Sequence, residues 1–283
     1  MSDVAYQEGT WQDPATRAQF SYRSWRPSSA RAVLVLLHGF GEHSGRYQAF
    51  GSSLAGRGIW VGAPDLPGHG RSSGQRGDIE QAAGCVQQLW KMTHDVFLPA
   101  SGLTDYTLFG HSFGGLLAIV WAMQNPPNLR RVIVQSPLLE VGFPIPGWKI
   151  VSARLLDRLW PTASFSTNLE VEALSRDPAV VQAYRSDPLV HHVMSARVYC
   201  AILRARARAF DGTAAIRRPV LLLTGSADRI VSVEAAHRWF NRLSCEKQRV
   251  AFPDAYHELH HEPVSEDVMR LVCEWVLAGR ERT

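Results

Sequence analysis

Short apolar runs alternate along the chain with stretches in which apolar residues recur at helical spacing. Runs such as VLVLL and VLLL are uninterrupted, which is typical of strands covered by helices on both faces. The pattern predicts strands at 31–37, 59–63, 106–109, 131–134, 220–224 and 248–252. It predicts helices at 46–56, 79–97, 113–124, 233–243 and 266–278. This alternation predicts an α/β fold with a mostly parallel central sheet flanked by helices.

Two stretches depart from the alternation. Segments 6–11 and 18–26 have the pattern of an antiparallel hairpin at the sheet edge. Residues 137–210 begin with several prolines, contain no convincing buried strand, and have helical pieces such as 148–160. We therefore expect a core of residues 1–136 and 211–283, with a helical lid, 137–210, inserted between two sheet strands.

Composition narrows the class of protein. The 283 residues are 46% hydrophobic and 20% charged, which is the mixture of a soluble globular protein. The first residues lack the basic and apolar regions of a signal peptide, so we expect a cytoplasmic location. The net charge of +4 is spread out, and alternating Arg204, Arg206 and Arg208 favour a solvated helix face over a lipid-binding patch. No motif suggests a nucleic-acid partner.

The sequence TLFGHSFGG places Ser112 in a G-x-S-x-G pattern between a predicted strand and a predicted helix. Gly110 and Gly114 lack the Cβ atoms that would clash in so sharp a turn. The helix beginning near Phe113 directs its amides toward the serine, which favours a developing negative charge. Ser112 is therefore the predicted nucleophile. The alternative is an ordinary glycine-rich turn with a solvent-facing serine.

An aspartate and a histidine follow Ser112 along the chain. The order serine, acid, histidine is typical when the nucleophilic serine lies on a G-x-S-x-G turn. Asp228 comes after the strand VLLLT, and the alternative is that it caps the next helix, a role that Ser232 can fill. His257 comes after the following strand and is the predicted general base, with His260 and His261 as competitors.

Residues 257–261 also spell H-E-x-x-H, a zinc-protease pattern. Zinc binding would require a helix that puts both histidines on one face, whereas this stretch follows a strand and a loop, with Pro263 just beyond. We therefore predict no metal, and the serine chemistry requires no organic cofactor.

A glycine-rich turn after the first long strand supplies a candidate oxyanion hole. His38 and Gly39 can turn the chain so that the amide of Phe40 faces the pocket, and the amide of Phe113 is the second donor. Two such donors stabilise charge that develops only in the transition state. The alternative is a turn that binds no ligand.

Six motifs occur in one order along nearly the whole chain: HGFGEHSGRY, DLPGHGRSSGQRG, GHSFGG, SDPL, GSADRIV and YHELHHE. Together they resemble the monoacylglycerol lipase and lysophospholipase family of the α/β-hydrolase superfamily. The resemblance implies a serine esterase that releases a fatty acid from monoacylglycerol through an acyl-enzyme. It also implies a lid that guides the acyl chain and touches membrane. Alternatives are a lysophospholipase, a broad short-chain esterase, and a non-catalytic lipid-binding pseudo-hydrolase.

The resemblance also implies substrate contacts. Glu42, Arg46 and His260 match positions that hold the glycerol hydroxyls, and Tyr184 matches a lid position over the pocket. Alternatively, Glu42 and Arg46 form a salt bridge and Tyr184 is lid core. Phe40 departs from the animal members, which carry alanine there.

The lid segment 142–160 is the part least like the family. Its apolar side chains and one lysine predict either peripheral membrane contact or packing of the apolar face inward: Phe143, Ile145, Trp148, Lys149, Ile150 and Val151.

Overall fold

The computed structural model describes residues 4–144 and 146–280, and within them eight strands form one sheet. In chain order the strands are β1 Ala5–Gln12, β2 Gln19–Arg26, β3 Ala32–Leu37, β4 Ile59–Pro64, β5 Tyr106–His111, β6 Leu129–Gln135, β7 Ser164–Ser166, β8 Val193–Ser195, β9 Val220–Gly225 and β10 Lys247–Phe252. The sheet order is β1-β2-β4-β3-β5-β6-β9-β10, and β7 pairs separately with β8. The pairs β1–β2, β2–β4 and β7–β8 are antiparallel and all other pairs are parallel.

The helices, in chain order, are α1 Gln48–Ala55, α2 Ala82–Met92, α3 Leu98–Ser101, α4 Phe113–Ala122, α5 Gly147–Leu159, α6 Pro178–Ser186, α7 Ala196–Asp211, α8 Val233–Asn241 and α9 Ser265–Leu277. A π-helical stretch, Thr93–Phe97, joins α2 to α3. Among the described helices, none is long and apolar enough to cross a membrane.

The inner strands β3, β4, β5 and β9 are buried on both faces, as the uninterrupted apolar runs predict. In β3, Val33, Val35 and Leu37 belong to one apolar cluster, which includes residues of α2, α4, α7 and α8. Leu34 and Leu36 belong to the other, which includes residues of α1 and α9. Successive side chains of a strand point to opposite faces, so a strand covered on both sides is apolar throughout.

The predicted strands and helices of the core are present, with ends shifted by a few residues. The hairpin is antiparallel and forms the sheet edge. Residues 137–210 contain α5, α6 and most of α7, as the helical pattern predicts. The pair β7–β8 was not predicted, because each strand has only three residues and β7 is exposed, so neither has an apolar run.

Several loops that carry the predicted site residues leave the same edge of the sheet. Parallel strands β3, β5, β9 and β10 all end at this edge, so the segments that follow them converge there.

Candidate active site

Ser112 occupies a strained turn between β5 and α4. Its φ of 53° and ψ of −113° lie in a region that residues other than glycine rarely adopt. The turn leaves no room beside it: a Cβ on Gly114 would lie 2.2 Å from the Leu37 carbonyl oxygen. A Cβ on Gly110 would lie 2.2 Å from the carbonyl oxygen of Gly114. The two glycines of the motif are therefore required by close backbone packing around the serine.

His257 is hydrogen-bonded to Asp228. The distance between His257 Nδ1 and Asp228 Oδ2 is 2.8 Å, and both side chains are buried. Asp228 Oδ1 also accepts hydrogen bonds from the amides of Ile230 and Val231. Ser232 accepts from the Ala235 amide and caps α8, so Asp228 does not serve as that cap.

Electrostatics favour a charged aspartate beside a basic histidine. Burial alone would raise the pKa of the Asp228 carboxyl, yet His257 and the two backbone amides hold that pKa below its usual value. Burial likewise opposes the charged form of His257, but the Asp228 carboxylate raises the pKa of His257 above its usual value. The pair is therefore suited to accept a proton at His257 Nε2, because Nδ1 is engaged by the carboxylate.

Ser112 and His257 line one small chamber of about 150 Å³. The competing histidines have other partners. His261 Nδ1 bonds Glu258 at 2.8 Å and its Nε2 bonds the Arg46 carbonyl at 2.8 Å. His260 Nδ1 bonds a buried glutamine side chain at 2.7 Å. The structure thus brings Ser112, His257 and Asp228 to one place.

The loop after β3 lies directly against the serine. A Cβ on Gly39 would lie 3.4 Å from Ser112 Cβ. His38 bonds the Gly39 carbonyl at 2.7 Å through Nδ1 and accepts from the Leu66 amide at Nε2, which fixes the ring and the turn. Within the described chain, neither the Phe40 amide nor the Phe113 amide donates to a protein acceptor. The rings of Phe40 and Phe113 meet edge to face at 5.7 Å.

Two glutamates and one arginine form a buried ion cluster beside the chamber. Arg46 Nη1 lies 2.7 Å from Glu42 Oε2 and 2.5 Å from Glu258 Oε1. Glu42 Oε1 also accepts from the Gly39 amide at 2.6 Å and from the Tyr47 hydroxyl at 2.9 Å. Although burial opposes ionisation, Arg46 holds the pKa of Glu42 below its usual value and that of Glu258 well below it.

The predicted substrate contacts divide into two pairs. Glu42 and Tyr184 line the chamber, whereas Arg46 and His260 are absent from its wall as the described residues define it. Arg46 pairs with Glu42, as the salt-bridge alternative predicts, and its guanidinium lies 4.7 Å from the centroid of the Tyr184 ring. His260 is buried and stacks on Tyr47 with the rings 4.5 Å apart.

The zinc pattern does not form its required helix. Leu259–His261 is a short 3-10 turn, so the first and last histidines of the pattern do not share an α-helical face. In the described residues, two groups have ligand atoms close enough for a metal: Glu258 with His260 and His261, and Glu42 with His111 and Glu258. Both include Glu258, whose two carboxylate oxygens already bond Arg46.

A larger apolar cavity of about 590 Å³ adjoins the chamber. Its wall includes the inner face of α5, and it shares with the chamber the residues Leu138, Val141, Phe143, Thr167 and Met194. This volume is within the range of small-molecule sites, and an apolar lining favours an apolar ligand.

Comparison with known proteins identifies the family. The family model described as "Serine aminopeptidase, S33" matches residues 28–264. The chain belongs to this family. Monoglyceride lipase from Homo sapiens is 30% identical over 260 residues, which cover 90% of this chain and 85% of that protein. The crystal structure of Paleococcus ferrophilus monoacylglycerol lipase is 33% identical with a TM-score of 0.81, covering 97% of this chain and 99% of that one.

A third relative is longer. An uncharacterized abhydrolase domain-containing protein of Dictyostelium discoideum is 32% identical over 263 residues, but the chain spans only 27% of its length. These comparisons confirm the resemblance that the motifs predict and the α/β-hydrolase fold.

Three residues of the site in this S33 family member were not assigned a role from the sequence: His111, Gln135 and Glu258. His111 directly precedes Ser112 in the sequence and Glu258 directly follows His257, so their position beside the predicted nucleophile and base was the available signal. Both line the chamber. Gln135 ends β6 and gave no signal, because its contacts depend on which strands are neighbours in the sheet.

Proposed function

We propose that this chain is a serine carboxylic ester hydrolase that releases a fatty acid from monoacylglycerol. One observation carries the proposal: Ser112 on its strained turn and His257 on its aspartate face one chamber, which adjoins an apolar cavity. The family and the names of its similar members support the same substrate class.

Each step of the proposed reaction has a residue that fits it. Ser112 Oγ attacks the ester carbonyl while His257 Nε2 takes the hydroxyl proton. The resulting oxyanion accepts hydrogen bonds from the amides of Phe40 and Phe113, which have no other acceptor in the described chain. His257 then gives its proton to the leaving glycerol oxygen. Water attacks the acyl-enzyme, His257 takes the water proton, and the fatty acid leaves as the serine regains its hydrogen.

The polar end of the chamber favours a neutral, hydroxyl-bearing head group. Glu42 and Glu258 are held in their ionised forms, whereas Arg46 supplies a single positive charge. This wall therefore has a net negative charge, which accepts hydrogen bonds from hydroxyls and repels a phosphate. We assign direct head-group contact to Glu42 and Tyr184, and we assign to Arg46 and His260 the positioning of that wall.

We propose that residues 137–210 act as a lid on a core of residues 1–136 and 211–283. The inner face of α5, with Lys149, Ser152, Ala153 and Leu156, lines the large cavity and would contact the acyl chain. This arrangement supports a chain site closed by α5 and continuous with the ester site.

We further propose that the outer face of α5 contacts membrane. Val151, Leu155 and Leu159 project from one side of the helix and are 57–75% exposed. Trp160 extends this apolar surface, and two exposed basic side chains of the same helix, Arg154 and Arg158, flank it, whereas Phe143, Trp148 and Lys149 line the cavity. An apolar helix face with a basic fringe suits the interface of a bilayer.

The first test combines active-site labelling with turnover. Intact-mass and peptide analysis after treatment with a fluorophosphonate should show one adduct, on Ser112. Ser112→Ala should abolish labelling and monoacylglycerol hydrolysis, while Ser186→Ala, at an exposed site on α6, should leave both unchanged. An unlabelled Ser112 together with no hydrolysis by the natural chain would favour the pseudo-hydrolase alternative. Full hydrolysis by Ser112→Ala would show that Ser112 is not the nucleophile.

The second test compares substrates of matched acyl length. Rates on monoacylglycerol, lysophosphatidylcholine, p-nitrophenyl esters and an aminoacyl anilide separate the candidate activities. The anilide tests for peptidase activity, because the family model is described as a serine aminopeptidase. Equal or faster hydrolysis of the lysophospholipid would contradict the assignment. Activity should be insensitive to chelators.

The third test measures membrane binding by sedimentation with vesicles of phosphatidylcholine, alone or with phosphatidylglycerol. Leu155→Ser combined with Leu159→Ser should weaken partitioning about tenfold, because two exposed apolar side chains are lost. Tyr6→Ser, at an exposed site on edge strand β1, is the matched control and should bind normally. Unchanged partitioning of the double variant would show that the outer face of α5 is not the membrane contact.

A further inference from the structure

Gln135 touches three parts of the site at once. Its backbone carbonyl accepts a hydrogen bond from the Ser112 amide at 3.0 Å. Its side-chain Nε2 lies 3.0 Å from His111 Nδ1 and 2.7 Å from His260 Nδ1. The side chain is fully buried, and the proposed reaction does not use it.

The amide can face the two imidazoles in only one favourable way. With Nε2 toward the rings, its two hydrogens satisfy two Nδ1 atoms, and each neutral ring carries its own hydrogen on Nε2. If the amide were flipped, with its oxygen toward the rings, its two hydrogens would take the present place of Oε1. That place has no hydrogen-bond partner among the described residues. His260 Nε2 is buried without a partner in either arrangement, so the flipped amide leaves two further donors unsatisfied where the present one leaves a single further acceptor.

The surroundings of His111 favour the same tautomer. A ring nitrogen of His111 and carboxylate oxygens of Glu42 and Glu258 all lie within 4.8 Å of one another. The Cδ2 edge of the ring, which adjoins Nε2, faces Glu42, because a Cβ on Gly39 would lie 3.3 Å from His111 Cδ2 and 2.8 Å from Glu42 Oε1. Both carboxylates are negative and so stabilise a hydrogen on Nε2, the nitrogen opposite Gln135.

His111 also lies beside the predicted base. The rings of His111 and His257 are 4.7 Å apart, measured between centroids. The proposed reaction places a positive charge on His257, and a second imidazolium at this distance would oppose it. Burial lowers the pKa of His111 to about 3, which agrees with an uncharged ring.

We propose that Gln135 is a positioning residue that holds His111, uncharged, in the Nε2–H tautomer beside His257. The expected effect on rate rests on the proposed ester hydrolysis, whereas the tautomer itself does not. By donating to His111 Nδ1, the Gln135 amide occupies the lone pair that would otherwise accept a second proton.

The test compares two substitutions of similar size. Gln135→Met fills the same space without hydrogen bonds. Gln135→Glu offers acceptors to both rings, which favours hydrogen on Nδ1 or a charged imidazole. Thr224→Val is the control, because this buried threonine on β9 has no side-chain partner among the described residues.

The first readout is the tautomer itself. Two-bond ¹H–¹⁵N spectra of histidine-labelled protein report which ring nitrogen carries hydrogen, with His260 assigned by its disappearance in His260→Phe. The natural chain should show His111 and His260 with hydrogen on Nε2. Gln135→Glu should move hydrogen to Nδ1, and Thr224→Val should change neither ring.

The second readout is hydrolysis of p-nitrophenyl butyrate, which has no glycerol head group. Gln135→Met should lower kcat about tenfold, the scale of one hydrogen bond. Gln135→Glu should lower kcat on the order of a hundredfold, because a like charge beside His257 opposes its protonation. KM should change little, and Thr224→Val should retain full activity.

Each outcome has one meaning. Hydrogen on His111 Nδ1 in the natural chain, or a folded Gln135→Glu variant with normal kcat, would overturn the positioning role. If the natural chain shows the expected tautomer but hydrolyses no ester, the proposed function fails and the assignment of the tautomer stands.

Discussion

Arg46 and Glu258, which are far apart in the sequence, form a two-pronged salt bridge, with Nη1–Oε1 at 2.5 Å and Nη2–Oε2 at 2.7 Å. Glu258 directly follows His257, and Arg46 lies in the short helical turn that precedes α1. This contact joins the loop after β3 to the loop after β10 and so helps to bring the two sides of the site together.

We expect Arg46→Met to lower the free energy of unfolding by about 3–5 kcal/mol, because it leaves two buried carboxylates without their counter-charge. Denaturant unfolding measures this. Arg185→Met removes an exposed ion pair with Glu172 and should cost less than about 1 kcal/mol. Adding Glu258→Gln to Arg46→Met should recover part of the loss, and equal effects of the two arginine variants would show that the buried cluster adds no stability.

Asp228→Asn should lower kcat/KM about 10⁴-fold. It should also shift the low-pH side of the profile of kcat/KM against pH to lower pH. Asp228 raises the pKa of His257, and His257 must be neutral to act as a base. Activity of the natural chain should therefore fall as the pH drops through a pKa above the usual histidine value. Without the carboxylate that pKa falls, so the remaining activity persists to lower pH.

Asp254→Asn, at an exposed loop position after β10, is the control for that pH profile and should match the natural chain. An acid limb that stays in place in Asp228→Asn would mean that Asp228 does not set the pKa of His257.

Gly114→Ala should destabilise the fold by about 1–3 kcal/mol and abolish activity, because its Cβ would overlap the Leu37 and His38 carbonyl oxygens. Gly147→Ala, at the start of α5, has open space and should leave unfolding and turnover unchanged. Thermal unfolding and ester hydrolysis of the pair test whether the turn tolerates any side chain. Normal activity of Gly114→Ala would show that the backbone can yield there.

Ala153→Phe should shift substrate preference toward shorter acyl chains, because the added ring would occupy the large cavity. Leu155→Phe, two residues along α5 on its exposed side, should leave the preference unchanged. A series of monoacylglycerols of increasing chain length measures the effect. If both variants keep the natural profile, the cavity under α5 does not hold the chain.

The sequence was sufficient to predict those features that depend on residues close together in the chain. Uninterrupted apolar runs located the buried strands, and the glycines around Ser112 identified the sharp turn. The outer and inner faces of α5 could not be separated, because apolar side chains occur on both: Ala153 and Leu156 face the cavity, and Val151 and Leu155 face outward.

Specific side-chain contacts between segments that are distant in the chain could not be predicted from the sequence. Glu258 was considered only within a zinc-like pattern that the sequence argued against, and its salt bridge was not predicted because its partner Arg46 lies on another loop. Gln135 meets His111 only because β6 lies beside β5 in the sheet. The strands β7 and β8 are too short for a periodic signal, and the paired residues Ser166 and Val193 are separated by 26 residues of intervening chain.

The two apolar faces of α5 have a consequence for how the protein would meet its substrate. If the outer face rests on a bilayer while the inner face lines the acyl site, a lipid can pass from one to the other without crossing water. The relevant concentration of substrate is then its density within the membrane plane. Velocity would follow the mole fraction of monoacylglycerol in the vesicle surface, and diluting the vesicles at fixed composition would change it only through the amount of protein bound.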